Sequence, residues 1–172
     1  MMGFKKKLLC AFVWMLLSLL LLTACEGEDV SPNALFSSAL DGEILLKTNG
    51  EEYRITLHLS PEIEGEERQG ELIYLAPRGM EGISVLSDGS GQRIRLNEVE
   101  VRTENESLLL PFFLLRSGEI AGKEMDGDEI VYRYQDGRQV CYSVSAERIT
   151  RILYGNVECR IEWIEVRRGK EG

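Results

Sequence analysis

Apolar and polar residues alternate along most of the chain between residues 43 and 166. The stretch YRITLHLS, residues 53–60, alternates at every position, which is the period-two pattern of a half-buried strand. It follows the apolar stretch 43–48 after Asn49-Gly50, a dipeptide typical of tight hairpin turns. The pattern therefore predicts a hairpin with strands at Glu43–Thr48 and Glu52–Ser60.

Further strand patterns follow at short intervals and are separated by turn dipeptides such as Asp136-Gly137 and Gly155-Asn156. They are GELIYLA (70–76), GISVLSD (82–88), QRIRLNEVEV (92–101), DEIVYRYQ (128–135), RQVCYSV (138–144), ERITRILY (147–154) and VECRIEWIEV (157–166). Short strands joined by tight turns are typical of an antiparallel sheet. The sequence therefore predicts a mainly β (α+β) domain with about eight or more strands.

One segment, residues 103–118, has a helical pattern instead. Thr103-x-x-Glu106 has the spacing of a capping box, Leu108–Leu115 is entirely apolar, and Gly118 ends the segment. Pro111 lies inside the apolar run, so we expect a kink or a restart of the helix there. A second, shorter helix is predicted at Asn33–Leu40.

An apolar run of this length has to be shielded from water, and two interpretations of how this happens stay open. In the first, the helix is ordinary core packed on the sheet. In the second, part of the helix lines a cleft for an apolar ligand, and the candidate lining residues are Leu108, Phe112, Phe113 and Leu115.

The N-terminus has the order of a targeting segment: a basic stretch MMGFKKK, then the apolar run Leu8–Leu22. The run is shorter than the roughly 20 residues that a membrane-spanning helix needs. The sequence Leu22-Thr23-Ala24-Cys25 resembles the bacterial lipobox. This resemblance implies cleavage after Ala24, a diacylglyceryl group on Cys25, and a domain held by lipid at the extracytoplasmic face of the cell membrane. An uncleaved anchor, or a secretory signal with an incidental cysteine, is the alternative.

These features divide the chain into a signal peptide (1–24), a lipidated cysteine with a polar tether (25–33) and a single β-rich domain (34–168). The signal peptide holds three of the 20 basic residues and no acidic one, so 17 basic residues remain against 29 acidic ones, a net charge of −12. Nucleic-acid partners are therefore not expected, because binding them requires neutralisation of phosphates by Lys and Arg. A soluble acidic surface or a cationic partner both fit this charge.

Two of the four cysteines, Cys141 and Cys159, remain in the β-rich domain. A disulfide is permitted outside the cytoplasm, so this pair is a candidate bridge. If the two segments are the first and third strands of a meander, however, the cysteines lie too far apart for a disulfide. Two thiols without nearby histidine or further cysteine do not form a metal site.

The order of elements from GELIYLAPRGMEGISVLSDGSGQRIRLNEVEV to the proline-containing apolar helix, after a lipoprotein signal, resembles the curved-sheet lipoprotein-carrier superfamily. That superfamily includes the outer-membrane lipoprotein carrier and receptor, the mycobacterial lipid-binding lipoproteins and the periplasmic regulator of an anti-sigma factor. The resemblance implies a single, strongly curved antiparallel sheet with one or two short apolar helices on its concave face. The sequence departs from the family in its few helical residues, and no position matches a ligand residue of the family.

Catalytic residue sets are not recognisable in the sequence. His58, the only histidine, lies on the polar face of its strand, and no Ser or Cys has the context of a nucleophile. We therefore expect a protein without cofactor, metal or enzymatic activity. Two functions remain: binding of a lipid or lipidated chain, or a structural or protein-interaction role in the cell envelope with a filled core.

Overall fold

The computed structural model describes residues 31–88, 91–103 and 106–167. Helix α1 is Pro32–Phe36 and helix α2 is Glu106–Leu114. The strands are β1 (Leu40–Thr48), β2 (Glu51–Leu59), β3 (Gly70–Ala76), β4 (Ile83–Asp88), β5 (Gly91–Leu96), β6 (Val99–Arg102), β7 (Ile120–Asp126), β8 (Glu129–Tyr134), β9 (Gln139–Ser143), β10 (Arg148–Tyr154) and β11 (Val157–Val166). The predicted signal peptide, and with it Cys25, lies outside the described residues.

All of these strands form one sheet in the order β6-β5-β4-β3-β2-β1-β11-β10-β9-β8-β7. Every neighbouring pair is antiparallel, and the sheet is open and curved. The predicted fold class is therefore confirmed. The chain runs along one half of the sheet to edge strand β6 and resumes at the opposite edge with β7. Helix α2 lies in this connection, which explains how it comes to pack across a face of the sheet.

The concave face carries the core, as its register shows. One cross-strand row on this face consists of Tyr132, Val140, Ile152, Cys159, Leu46 and Tyr53. Five of these side chains are buried and Tyr53 packs against them. Helix α1 adds Phe36, which is fully buried in the same cluster. Alternation along each strand thus directs one set of apolar side chains towards α2.

Three details of the elements differ from the sequence-based expectation. The stretch 92–101 is not one strand but β5 and β6, because the chain turns at Asn97, which has a positive φ of 55°. Strand β7 was not predicted, since most of its residues are exposed and its apolar alternation is weak. Helix α1 ends at Phe36, and Leu40 instead begins β1.

Helix α2 is shorter than the predicted segment 103–118 and runs without interruption through Pro111. The predicted restart is therefore wrong. Pro111 is the sixth residue of the helix, so only the first turn and a half precedes it and few intrahelical bonds are affected. The proposed capping box spans residues 104 and 105, which lie outside the described residues.

Candidate functional site

Helix α2 buries its C-terminal part deeply and its N-terminal part only in part. Leu114 and the following Leu115 are fully buried in the core, and Phe112 is 8% exposed. By contrast, Leu108, Leu109, Leu110 and Phe113 are half-buried and pack at the border of the core. Because the helix is apolar on all sides, these half-buried side chains face space that the sheet does not fill.

One cleft beside α2 has a volume of about 400 Å³ and is open to solvent. Its apolar wall is formed by Leu109, Phe112 and Phe113. The other lining residues are mostly polar or charged, and most of them belong to the loop after β2. They are Glu62, Gly65, Glu66, Glu67, Arg68, Ser87, Gln92 and Arg116. This cleft therefore has one apolar side and one charged rim.

Two further clefts flank the N-terminal half of α2. One, of about 260 Å³, is lined by Leu108 and Leu110 of the helix and by Met80 of the turn between β3 and β4. Its other lining residues lie on strands β1 to β3 and in the β1–β2 turn: Leu46, Thr48, Asn49, Tyr53 and Tyr74. The other, of about 290 Å³, is lined by Leu109, Leu110, Phe113 and Tyr154. Leu110 lines both of these clefts, and Phe113 lines the second of them as well as the 400 Å³ cleft.

The structure brings together two of the four candidate lining residues, Phe112 and Phe113, in the 400 Å³ cleft, and places Leu108 in the 260 Å³ cleft. Leu108, Phe112 and Phe113 each line one or more clefts, whereas Leu115 is fully buried and lines none of the clefts described above. Leu115 directly follows the last helical residue and belongs to the buried core cluster. Sequence reasoning missed Leu109 and Leu110, because an all-apolar helix gives no periodic signal for its exposed side.

Two buried arginines hold the C-terminal end of α2. Arg68 is 8% exposed and donates hydrogen bonds to the carbonyl oxygens of Phe36 (2.5 Å), Ser38 (2.6 Å), Ser60 (3.2 Å) and Leu115. These bonds join α1, the end of β2 and the end of α2. Burial lowers the pKa of Arg68 to about 10, so its guanidinium remains charged at neutral pH.

Arg138 is fully buried and caps the same helix end from the other side. Its Nη1 donates hydrogen bonds to the carbonyl oxygens of Leu114 (3.0 Å) and Arg116 (2.6 Å), which satisfies acceptors that a helix end leaves free. Its guanidinium lies 4.5 Å from the ring centroid of Tyr134 and 5.3 Å from that of Phe113. Cation–π contacts of this kind favour a charged arginine in a buried site.

The segment after α2 is fixed by helix α1. Asn33 Nδ2 donates to the carbonyl oxygen of Gly118 (2.8 Å), and its Oδ1 accepts from Gly118 N (3.2 Å) and from the Tyr134 hydroxyl (2.9 Å). Both carboxylate oxygens of Glu62 accept from Ser117 N at 3.0 Å. A dense polar network therefore surrounds the C-terminal end of α2.

In the N-terminal half of α2, the side chains of Leu108, Leu109 and Leu110 pack against the core. The Tyr74 hydroxyl donates a hydrogen bond of 3.2 Å to the carbonyl oxygen of Leu108. Burial raises the pKa of Tyr74 well above its ordinary value, so the hydroxyl keeps its proton and remains a donor. Two of the clefts lie along this half of the helix, where these apolar side chains border open space.

The candidate disulfide between Cys141 and Cys159 is not formed, and both residues are buried free thiols. They lie on β9 and β11, with β10 between them. Cys141 is paired with Arg151 and Cys159 with Ile152, and neighbouring residues of a strand point to opposite faces. Cys159 therefore lies on the concave face and Cys141 on the convex face. Burial raises the pKa of Cys159 to about 12 and also raises that of Cys141.

His58 lies on the convex face with its Nδ1 2.9 Å from Asp41 Oδ1. Asp41 also accepts hydrogen bonds of 2.6 and 3.1 Å from Arg167, and these bonds, the larger cause, hold the pKa of Asp41 below its ordinary value. No nucleophile adjoins this cluster in the contacts that the structure describes. Within residues 31–88, 91–103 and 106–167, no group of three His, Cys, Asp or Glu side chains is placed to hold a metal ion.

Among the helices of the described residues, none combines the length and the apolar character needed to cross a membrane. No protein-family model matches the chain, and no curated protein matches it significantly.

Several solved structures are similar to this chain. An uncharacterized conserved protein from Thermus thermophilus is 12% identical, with 81% of this chain and 85% of that chain covered and a TM-score of 0.48. A putative outer membrane lipoprotein-sorting protein domain from Vibrio parahaemolyticus is 14% identical, with 81% and 89% covered and a TM-score of 0.43. A LolA superfamily protein from Nitrosomonas europaea is 12% identical, with 79% and 89% covered and a TM-score of 0.43.

Proposed function

We propose that this protein binds an apolar ligand, such as a lipid or a lipidated chain, in the clefts beside helix α2. The observation that carries this proposal is the position of Leu109, Leu110 and Phe113, which are half-buried and border clefts of about 290 and 400 Å³. Binding sites for small apolar molecules are typically concave, lined by aliphatic and aromatic side chains, and a few hundred Å³ in volume. The proposed activity is binding of this ligand alone, without catalysis.

A ligand in these clefts would be stabilised by the apolar area that it covers. Each Å² of apolar surface removed from water contributes about 25 cal/mol, so covering the exposed parts of these three side chains and the ligand together is favourable. The clefts adjoin one another along α2, since Leu109 lines both the 290 Å³ and the 400 Å³ cleft. A flexible chain suits clefts that follow one another along a helix better than a rigid compact molecule does.

We further propose that the domain is held at the extracytoplasmic face of the cell membrane by lipid on Cys25. The support for this part is the lipobox Leu22-Thr23-Ala24-Cys25 after an apolar run that is too short to span a bilayer. Cys25→Ser is expected to leave the longer, unprocessed precursor, whereas Cys10→Ser leaves processing unchanged. A processed, membrane-bound protein whose Cys25 is unmodified by mass spectrometry contradicts the anchoring.

Ligand binding is tested by pairing a cleft variant with the parent chain. Leu110 is half-buried and lines two clefts, so Leu110→Gln should cost little stability. The variant places a polar amide in both clefts, which should weaken the binding of an apolar ligand. The parent is expected to bind the apolar probe N-phenyl-1-naphthylamine with a blue shift in fluorescence, and extracted envelope lipid should displace it. Lipid should also raise the melting temperature of the parent but not of Leu110→Gln.

A second candidate function is a structural or protein-interaction module of the cell envelope. One observation favours it: the core beneath α2 is filled by fully buried side chains such as Phe36, Leu114 and Leu115, and the clefts are open to solvent. In that case neither probe nor lipid binds the parent, and Leu110→Gln has no effect beyond a small change in stability.

A further inference from the structure

Edge strand β6 carries two apolar side chains that the rest of the described chain leaves exposed. Val99 is 65% and Val101 is 59% exposed. Val101 is paired with Ile94 and Val99 with Leu96, so both continue rows of the concave, apolar face to the edge of the sheet. These two valines, together with the 45% exposed Leu96, form an apolar lip on the concave side.

The other face of the same strand carries charges of both signs. Glu100 and Arg102 alternate with the valines and therefore point to the convex face. Arg93 on β5 forms ion pairs there with Glu100, at 2.7 Å, and with Asp88. A ladder of alternating charge thus runs from β4 to β6 and reaches the edge of the sheet.

The backbone of β6 has a defined direction at this edge. Thr103 N donates a hydrogen bond of 3.0 Å to the carbonyl oxygen of Gln92, so the backbone of Thr103 faces β5. Backbone groups alternate in direction along a strand, and those of Val101 and Val99 therefore face β5 as well. The backbone groups of Glu100 and Arg102 are directed away from β5, towards the open side of the edge.

We propose that β6 pairs with β6 of a second copy of this chain, antiparallel and with the two-fold axis at Val101. In this register Glu100 lies opposite Arg102 of the second copy, and each such pair exchanges both backbone hydrogen bonds. Opposite charges directly across two strands stabilise the pair. The arrangement is isologous, so the same contact occurs twice and the interface closes.

Neighbouring registers are unfavourable for this strand. A one-residue shift would place a valine opposite a charged residue and set apolar and charged side chains on the same face. A shift of two residues would place Glu100 opposite Glu100, or Arg102 opposite Arg102, and like charges across two strands are destabilising. Charge complementarity thus selects one register and one occupant, a second copy.

Cysteine cross-linking at the axis tests this register. Directly opposite residues at a position without backbone bonds between them have Cα atoms about 4.5 Å apart, within the range of a disulfide. In the full-length chain with Cys10→Ser and Cys25→Ser, in mild detergent, Val101→Cys is expected to form a disulfide-linked dimer on mild oxidation. Val99→Cys is the matched control, because Val99 lies opposite Thr103 of the second copy. Equal cross-linking at both positions, or none at Val101→Cys, overturns the proposal.

A charge swap tests the pairing without cysteine. Glu100→Arg and Arg102→Glu each place like charges across the axis, so each variant alone should sediment as a monomer at concentrations where the parent is a dimer. A mixture of the two variants restores opposite charges at both pairs and should sediment as a heterodimer. A parent that stays monomeric, or a mixture that stays monomeric while the parent dimerises, contradicts the proposal; the first result would mean that the charges protect the edge from pairing.

Discussion

Arg138 Nε donates hydrogen bonds of 3.0 and 2.9 Å to the two carboxylate oxygens of Asp136. Arg138 is fully buried while Asp136 keeps about a quarter of its side chain exposed. The carboxylate therefore neutralises a charge that lies at the end of α2 and cannot reach water. Burial by itself raises the pKa of Asp136, but the hydrogen bonds and the charge of Arg138 outweigh it, so the pKa lies below its ordinary value.

Asp136→Asn should lower the free energy of unfolding by about 3 kcal/mol at pH 7, because Arg138 loses its counter-charge in a buried site. The effect depends on pH. A carboxyl whose folded pKa is depressed stabilises the fold above its unfolded pKa, near 3.8, and loses this contribution as the pH falls through the folded pKa. The difference between parent and variant, measured by urea unfolding from pH 7 to pH 2.5, should shrink below about pH 4. A constant difference would show that Asp136 does not act through its charge.

Arg68→Met should cost about 3 kcal/mol of unfolding free energy, because the carbonyl oxygens of Phe36, Ser38 and Leu115 lose their buried donor. Arg54→Met is the matched control. The Arg54 side chain is 51% exposed and contacts Glu43 at 3.5 Å, so its replacement should change stability by less than about 0.5 kcal/mol. Chemical denaturation of both variants measures the difference, and equal effects would refute the role given to Arg68.

Gly118→Ala should destabilise the domain by about 1 to 3 kcal/mol, because the added Cβ would lie 2.7 Å from Arg138 Nη2 and 3.0 Å from Tyr134 Cδ1. Gly122→Ala is the control, since its added Cβ has no neighbour within 4 Å. Thermal melting of the two variants compares them directly. A Gly118 variant as stable as the Gly122 variant would mean that the segment after α2 is not packed against Arg138.

Cys141 and Cys159 should remain unlabelled by iodoacetamide at pH 8 in the folded protein, because both are buried and burial raises the pKa of each thiol. In denaturant without a reducing agent, both should be labelled, since no disulfide joins them. Peptide mass spectrometry distinguishes the two sites. Labelling of denatured protein only after reduction would show that the cysteines are joined.

Much of the sheet could be predicted from the sequence, and the first hairpin shows why. Residues 53–60 alternate cleanly and follow Asn49-Gly50, so both strands of the first hairpin were predicted within a few residues. The break between β5 and β6 was missed because the turn at Asn97-Glu98 contains no glycine and sits inside an apolar alternation. Strand β7 was missed because its residues are mostly exposed, which removes the periodic signal.

The contacts and clefts around α2 could be predicted from the sequence to a much smaller extent. Arg68 and Arg138 occur in polar stretches, where an arginine is normally solvent-exposed, and only the tertiary structure brings helix-end carbonyls to them. The opposite orientation of Cys141 and Cys159 depends on strand register across β10, which the sequence does not state. Which leucines of α2 border open space likewise depends on packing, because the helix is apolar all round.

Photo-labelling is the most direct test of ligand binding in the clefts beside α2. A fatty acid with a photoreactive diazirine in its chain is bound to the full-length protein and irradiated, and modified peptides are identified by mass spectrometry. Adducts are expected on α2 between residues 108 and 113 and on the facing Tyr74, Met80 and Tyr154, and unlabelled lipid should suppress them. Absence of competed labelling, or competed adducts only outside these elements, would contradict ligand binding at α2.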